Sequence, residues 1–208
     1  RAPNVGELFK FPAAAKGLRA IAQSKGAAFY GGEIAQAIEK FAAANDGSIT
    51  AERGSVNLAA GSRVTLSLGG LVNLTVDQGA IDALVSNGGA IRADGGQVLL
   101  TARGAGELAP AAISNAGLIE ARTLATGEQG EIRLLGGLNG GDAVSLSGSL
   151  DVSAPHGGNG GFVETSAANV GIAEGTVITA LSAHGATGTW LLDPDVLQII
   201  TGGAATLG

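Results

Sequence analysis

The chain has 208 residues with a net charge of −6, 45% hydrophobic residues, 3% aromatic residues, 36 glycines and no cysteine. Scattered basic residues on an acidic chain exclude a nucleic-acid surface, and the missing cysteines exclude both a disulfide framework and a thiolate metal site. Glycine without a three-residue period excludes collagen, and alternating apolar segments exclude a disordered low-complexity chain. No apolar run reaches the roughly 18 residues of a membrane span. If the protein is exported, its signal is expected upstream of Arg1.

Residues 1–46 read as a small α-helical hairpin. Pro12 suits a first helical turn, Leu18, Ile21 and Ala22 then share a face, and Gly26 ends the helix. After the Phe29-Tyr30-Gly31-Gly32 turn a second helix runs from about Glu33, with Ile34, Ile38, Phe41 and Ala42 at helical spacing. Asn45-Asp46-Gly47 stops it. Such a hairpin is too small to be stable alone.

From Gly47 to the end the pattern changes to short alternating strands separated by glycine corners. Gly89–Ala102 states the unit: Ile91 and Ala93 point one way and Arg92 and Asp94 the other, Gly95-Gly96 turns the chain, and Val98, Leu100 and Ala102 alternate with Gln97, Leu99 and Thr101. Copies occur at 47–58, 115–134 and 148–165, with a weaker one at 175–180. Ile91, Ile119, Leu150 and Ile178 are equivalent, a spacing of about 30 residues that implies a solenoid. The longer interval from Ile49 to Ile91 is expected to hold an extra turn. The fold expected is mainly β, a parallel β-helix over 47–208 preceded by the hairpin. Its columns are Ile91, Ile119 and Leu150, and Val98, Ile132 and Val163. Outside, Arg92 beside Glu120 and Arg133 beside Glu164 form exposed ion-pair ladders. An open solenoid edge needs cover, and residues 1–46 are suited to serve as a cap.

Two resemblances overlie this reading. Gly6-Glu7-Leu8-Phe9, Pro12, Leu18, Gly26, Phe29-Tyr30-x-Gly32-x-Ile34-Ala35 and Asn45–Thr50 resemble part of the large subunit of gamma-glutamyltranspeptidases. That resemblance implies no catalysis, because the family's nucleophile is the threonine exposed at the start of the small subunit, which has no counterpart here. Val76–Val85, Gly88–Ala102, Ile113–Ala121, Leu150–Ala154, Gly160–Ser166 and Gly188-Thr189-Trp190-Leu191-Leu192-Asp193-Pro194 resemble filamentous-haemagglutinin-type exoproteins. This second resemblance implies a right-handed parallel β-helix, an outer-membrane secretion partner for the full-length protein, and adhesion at the bacterial surface to host or neighbouring-cell proteins or glycans. The family's amino-terminal secretion domain, with its Asn-Pro-Asn motifs, is absent, so the chain corresponds to a passenger segment. The resemblances meet near Gly47, a join that a natural fusion, an error of sequence assembly or a built chimera would each produce.

Chemistry-bearing residues are few. His156 and His184 sit in similar glycine-rich corners and read as equivalent turns, without the further ligands a metal would need. Gly157–Gly161 lacks the Lys-Ser/Thr ending of a phosphate loop and precedes a strand. Gly136–Asp142 offers a single aspartate where calcium wants six or more oxygens. Asp77 with Asp82, and Asp193 with Asp195, are the nearest approach to the paired carboxylates of sugar-cleaving enzymes, and Trp190 and Tyr30 the nearest to a sugar platform. Each reads better as a turn carboxylate, with Trp190 a plug over the terminal coil. The expectation is therefore no catalytic, metal or cofactor residue and no enzyme. The alternatives are a gamma-glutamyltranspeptidase remnant or a β-helix carbohydrate enzyme.

Overall fold

The computed structural model describes residues 12–25, 36, 47–67, 73–106, 108–124, 128–138 and 140–195. The chain divides into two compact units, Arg1–Gly47 and Ser48–Gly208.

In the first unit α1 spans Pro12–Gln23, opening on the proline whose missing N–H costs a first turn nothing. It ends before Gly26. Ser24 bonds back to the Ala20 carbonyl through its amide (3.1 Å) and its hydroxyl (2.8 Å), and Lys25 takes a positive φ of 51°. Leu18, expected on an apolar face, is 67% exposed. The Phe29-Tyr30 turn and the second expected helix lie outside the described residues, apart from residue 36.

The second unit is a parallel β-solenoid. Each regular coil contributes one strand to each of three sheets, and all strands within a sheet run parallel. The first sheet contains β5 (Leu84–Asn87), β8 (Ala112–Asn115), β11 (Ala143–Leu146) and β14 (Asn169–Ile172). A short sheet follows, built from β1 (Ile49–Thr50), β6 (Ala90–Arg92), β9 (Leu118–Glu120), β12 (Ser149–Asp151) and β15 (Val177–Thr179). The long sheet comprises β2 (Ser55–Ala60), β7 (Gln97–Ala102), β10 (Glu131–Leu135), β13 (Phe162–Ala167) and β16 (Thr189–Pro194).

Register follows from the alternation, because a slip of one residue would turn every apolar side chain outward. Ile49, Ile91, Ile119, Leu150 and Ile178 are successive partners, as are Val56, Val98, Ile132, Val163 and Trp190. Both expected columns are thus in place, and Ile119, Ile132 and Val163 are fully buried. Each such aliphatic contributes about 1.5–3 kcal/mol. Leu100, Leu134 and Thr165 form a third column, and Thr165 satisfies its buried hydroxyl by accepting the Trp190 indole N–H at 3.3 Å.

The glycines are explained by the close approach of one coil to the next. Gly54, Gly96, Gly130, Gly161 and Gly188 stack at the corner entering the long sheet, and a Cβ at Gly96, Gly161 or Gly188 would run into the carbonyl oxygen of Gly54, Gly130 or Gly161, respectively, in the preceding coil. Asparagines secure the corner leaving the first sheet: Asn87 Nδ2 donates to Asn115 Oδ1 at 2.7 Å, and Asn115 Nδ2 to the Gly117 carbonyl at 3.2 Å.

The interval between Ile49 and Ile91 holds no extra coil, since these two residues are direct partners. It holds an antiparallel hairpin, β3 (Arg63–Ser67) with β4 (Asn73–Gln78), in which Thr65 pairs with Thr75 and Leu66 with Leu74. β4 packs against β2 and β7. The insertion returns to the wall at Ala80, whose amide donates to the Arg103 carbonyl at 3.1 Å.

Candidate functional site

Two regions of the solenoid surface gather polar side chains. The first is the outward side of the short sheet and the turn after it. Parallel register sets Arg92 against Glu120, and Glu120 against Asp151. Arg92 Nε donates to Glu120 Oε2 at 2.6 Å. One turn further on, Arg122 donates from Nη2 to Asp94 Oδ2 at 2.6 Å and from its amide to Asp94 Oδ1 at 2.9 Å, while its Nε lies 3.4 Å from Glu120 Oε1. Burial alone would push the Asp94 carboxyl up, but the Arg122 hydrogen bonds and charge outweigh it and hold it below the usual carboxylate range. Arg122 is correspondingly raised by its bond to Asp94. Asp151 Oδ1 accepts the Ser153 amide at 2.8 Å. Carboxylates do gather here, but each is tied to a guanidinium or an amide, which suits a structural clamp and not a proton donor.

The expected ladders are present but less exposed than anticipated, because neighbouring coils flank each side chain. The Glu120 side chain is 11% and Glu164 17% exposed, against 43% for Arg92 and 40% for Arg133. Arg133 Nη1 meets Glu164 Oε2 at 2.9 Å, its Nε binds Glu131, and its guanidinium lies 5.4 Å from the centre of the Phe162 ring. The Asp94–Arg122 pair was missed in the sequence, although its 28-residue offset equals that of Arg92–Glu120.

The second region is a groove of about 730 Å³ on the outward face of the long sheet, beside the hairpin. Gln97, Leu99 and Thr101 of β7 and Glu131, Arg133 and Leu135 of β10 form its floor, Leu74, Thr75 and Val76 of β4 line one side, and Arg103 and Leu138 also border it. Leu99 faces outward by alternation yet is only 3% exposed. The inserted hairpin supplies its cover.

The remaining candidates resolve individually. Ala154 and Ser182 pair in parallel, which places His156 and His184 at equivalent corners of adjacent coils, both exposed. No group of three or more His, Cys, Asp or Glu able to hold a metal occurs among the described residues. In the 157–161 corner the amides of Gly160 and Gly161 donate to the carbonyls of Ala186 and Val152, so they do not cradle an anion. Asp142 is 3% exposed and holds coils together, accepting from the amides of Ala111 (2.6 Å) and Gly104 (3.2 Å). Asp77 accepts the Thr65 hydroxyl within the hairpin, and Asp82 sits in a turn with a φ of 56°. Asp193 and Asp195 are exposed at and just beyond the end of β16. Trp190, half-buried on the last described strand of the long sheet, packs against the core as the expected plug. Tyr30 lies outside the described residues.

This architecture belongs to the class of parallel β-solenoids. The family model described as gamma-glutamyltranspeptidase matches residues 1–53, the first unit and the chain through β1. No match was found among curated proteins or among solved structures. No helix among the described residues is long and apolar enough to cross a membrane.

Proposed function

We propose that the chain is a non-catalytic segment of a secreted bacterial surface adhesin, in which the solenoid serves as stalk and adhesive wall. The observation that carries this reading is the in-register stacking of coils, from Ile49 to Ile178 and from Val56 to Trp190. Stacking presents outward side chains in rows with a repeat of about 4.8 Å, a geometry suited to extended contact rather than to enclosing a reacting group. The tied carboxylates of the short sheet support the same reading. So does the resemblance of residues 47–208 to filamentous-haemagglutinin-type exoproteins, which also points to a secreted location and host or neighbouring-cell proteins or glycans as partners.

A second reading, descent of the amino-terminal segment from a gamma-glutamyltranspeptidase, is favoured by the match over residues 1–53. It adds no catalysis to the solenoid. The test is paired: beads coated with the full chain should attach to host-cell monolayers, and the soluble chain should leave a gamma-glutamyl anilide intact. Attachment no better than that of uncoated beads contradicts the adhesin, and measurable anilide turnover contradicts its non-catalytic character.

A further inference from the structure

The outer strand of the inserted hairpin is an edge that the rest of the chain leaves uncovered. Among the described residues β3 pairs only with β4, all five of its residues are exposed, and every hydrogen bond that they make stays within the hairpin. In an antiparallel pair alternate residues direct their N–H and C=O groups away from the partner, so β3 turns main-chain donors and acceptors to solvent. Natural proteins blunt such edges with proline, charges or bulges. β3, Arg63-Val64-Thr65-Leu66-Ser67, has no proline and a single charge, and its one irregularity lies at that same end. Val64 and Leu66 share a face and are 41% and 54% exposed, and Val64 borders a cleft of about 540 Å³ with Leu58 and the exposed Leu84.

We propose that β3 pairs antiparallel with β3 of a second copy about a two-fold axis at Thr65, joining two hairpins into one four-stranded sheet. This register pairs all five residues of each strand: Thr65 meets the partner's Thr65, Val64 the partner's Leu66, and Arg63 the partner's Ser67. Apolar residues therefore face each other twice, and no like charges are opposed. Centring the axis on Arg63 would oppose two guanidinium groups, and centring it on Val64 would set Leu66 against Ser62. A second copy fits better than an unrelated peptide because the same strand supplies both halves of every pair. Five residues a side bury far less than the roughly 1,200 Å² of a stable complex, so the dimer is weak. Its dissociation constant is about 10–100 µM, and it is absent from melting experiments at about 1 µM. The pairing holds whatever the wall adheres to.

Sedimentation equilibrium of the full chain from about 1 to about 500 µM should show the mass rising from monomer toward dimer. A monomer at every concentration would leave the edge to another partner and overturn the proposal. Leu66→Lys, at an exposed position, should leave the circular dichroism spectrum unchanged and weaken association about tenfold or more. Ser67→Asp sets a carboxylate against the partner's Arg63 twice in each dimer and should strengthen association roughly fivefold, whereas Ser67→Arg should weaken it. Register is read from a nitroxide on Thr65→Cys, the chain having no native cysteine. At about 500 µM the partner's label, on a residue about 5 Å away across the strands, should broaden the spectrum, and dilution with unlabelled chain should relieve it. A label on Arg63→Cys, about 14 Å from its counterpart, should broaden less. Association unmoved by Leu66→Lys and by both Ser67 variants would place the contact on another face and overturn the proposal, as would a Thr65 label no broader than the Arg63 label.

Discussion

The regular coils and the inserted hairpin use the same alternation of apolar and polar residues for opposite purposes. In the coils Val98, Leu100 and Ala102 point inward onto a continuous core, and the outward positions carry charges paired between coils. In the hairpin the residues of β3 are all exposed, with Leu66 at 54%, while Val76 of β4 is buried and Leu99 is covered on the outer face of the wall. Alternation therefore establishes which residues share a face. What that face packs against is decided by neighbours, and in a solenoid those neighbours lie one coil away.

The sharpest way to break this comparison is to place a charge on equivalent-looking positions of the two regions. Ile119→Asp puts an unpaired carboxylate in the middle of a fully buried column and should cost at least about 3 kcal/mol, enough to abolish the cooperative melting transition. Leu66→Asp, on the exposed hairpin strand, should change stability by less than about 0.5 kcal/mol. Comparable losses from both would mean that the hairpin is core and not insertion. The next effect in size is at the glycine corner, where Gly130→Val drives a side chain into the Ala121 carbonyl and should cost about 2 kcal/mol or more, seen as a lowered denaturant midpoint.

Replacing residues 62–79 by a short glycine-serine linker sharpens the comparison further. The coils should retain their β circular dichroism, because Ile49 already pairs with Ile91 without the hairpin's help. Exposing Leu99 should remove about 1.5–3 kcal/mol of burial, and loss of the β signature would contradict the separateness of the insertion.

The smallest effect concerns Asp94. Its folded carboxyl lies below the ordinary value of 3.8, so its stabilisation is complete above that value and is lost as pH falls through the depressed folded value. Asp94→Asn should cost about 1 kcal/mol at neutral pH, given the 37% exposure of its partner Arg122, and should flatten the acid limb of the stability curve below about pH 4. An unchanged acid limb would leave the pair without a stabilising role.

These contrasts also explain what could be read from the chain. The core columns were legible because apolar alternation and corner glycines recur together at nearly constant spacing. Arg92–Glu120 and Arg133–Glu164 followed once that spacing was known, and Asp94–Arg122 obeys the same rule. The hairpin was not legible as such. Val64 and Leu66, like Leu74 and Val76, alternate as coil strands do, and alternation does not distinguish a parallel partner one coil away from an antiparallel one across a turn. The groove was hidden for the same reason, since it exists only where the insertion folds back over Leu99. Asp142 resembles a lone calcium-loop aspartate in sequence because its neighbours are turn glycines, whereas its actual partners, the amides of Gly104 and Ala111, lie more than thirty residues away.

In-register stacking of parallel coils is the claim on which the wall, the ion pairs and the groove all depend. With no native cysteine to remove, nitroxide labels can be placed on cysteines substituted for Ser114 and Ser145, register partners in neighbouring strands of the first sheet. Strands in a sheet lie about 4.8 Å apart, so the doubly labelled chain should give a spectrum strongly broadened by spin–spin interaction at room temperature and on freezing. A spectrum equal to the sum of the two singly labelled chains would contradict the stacking.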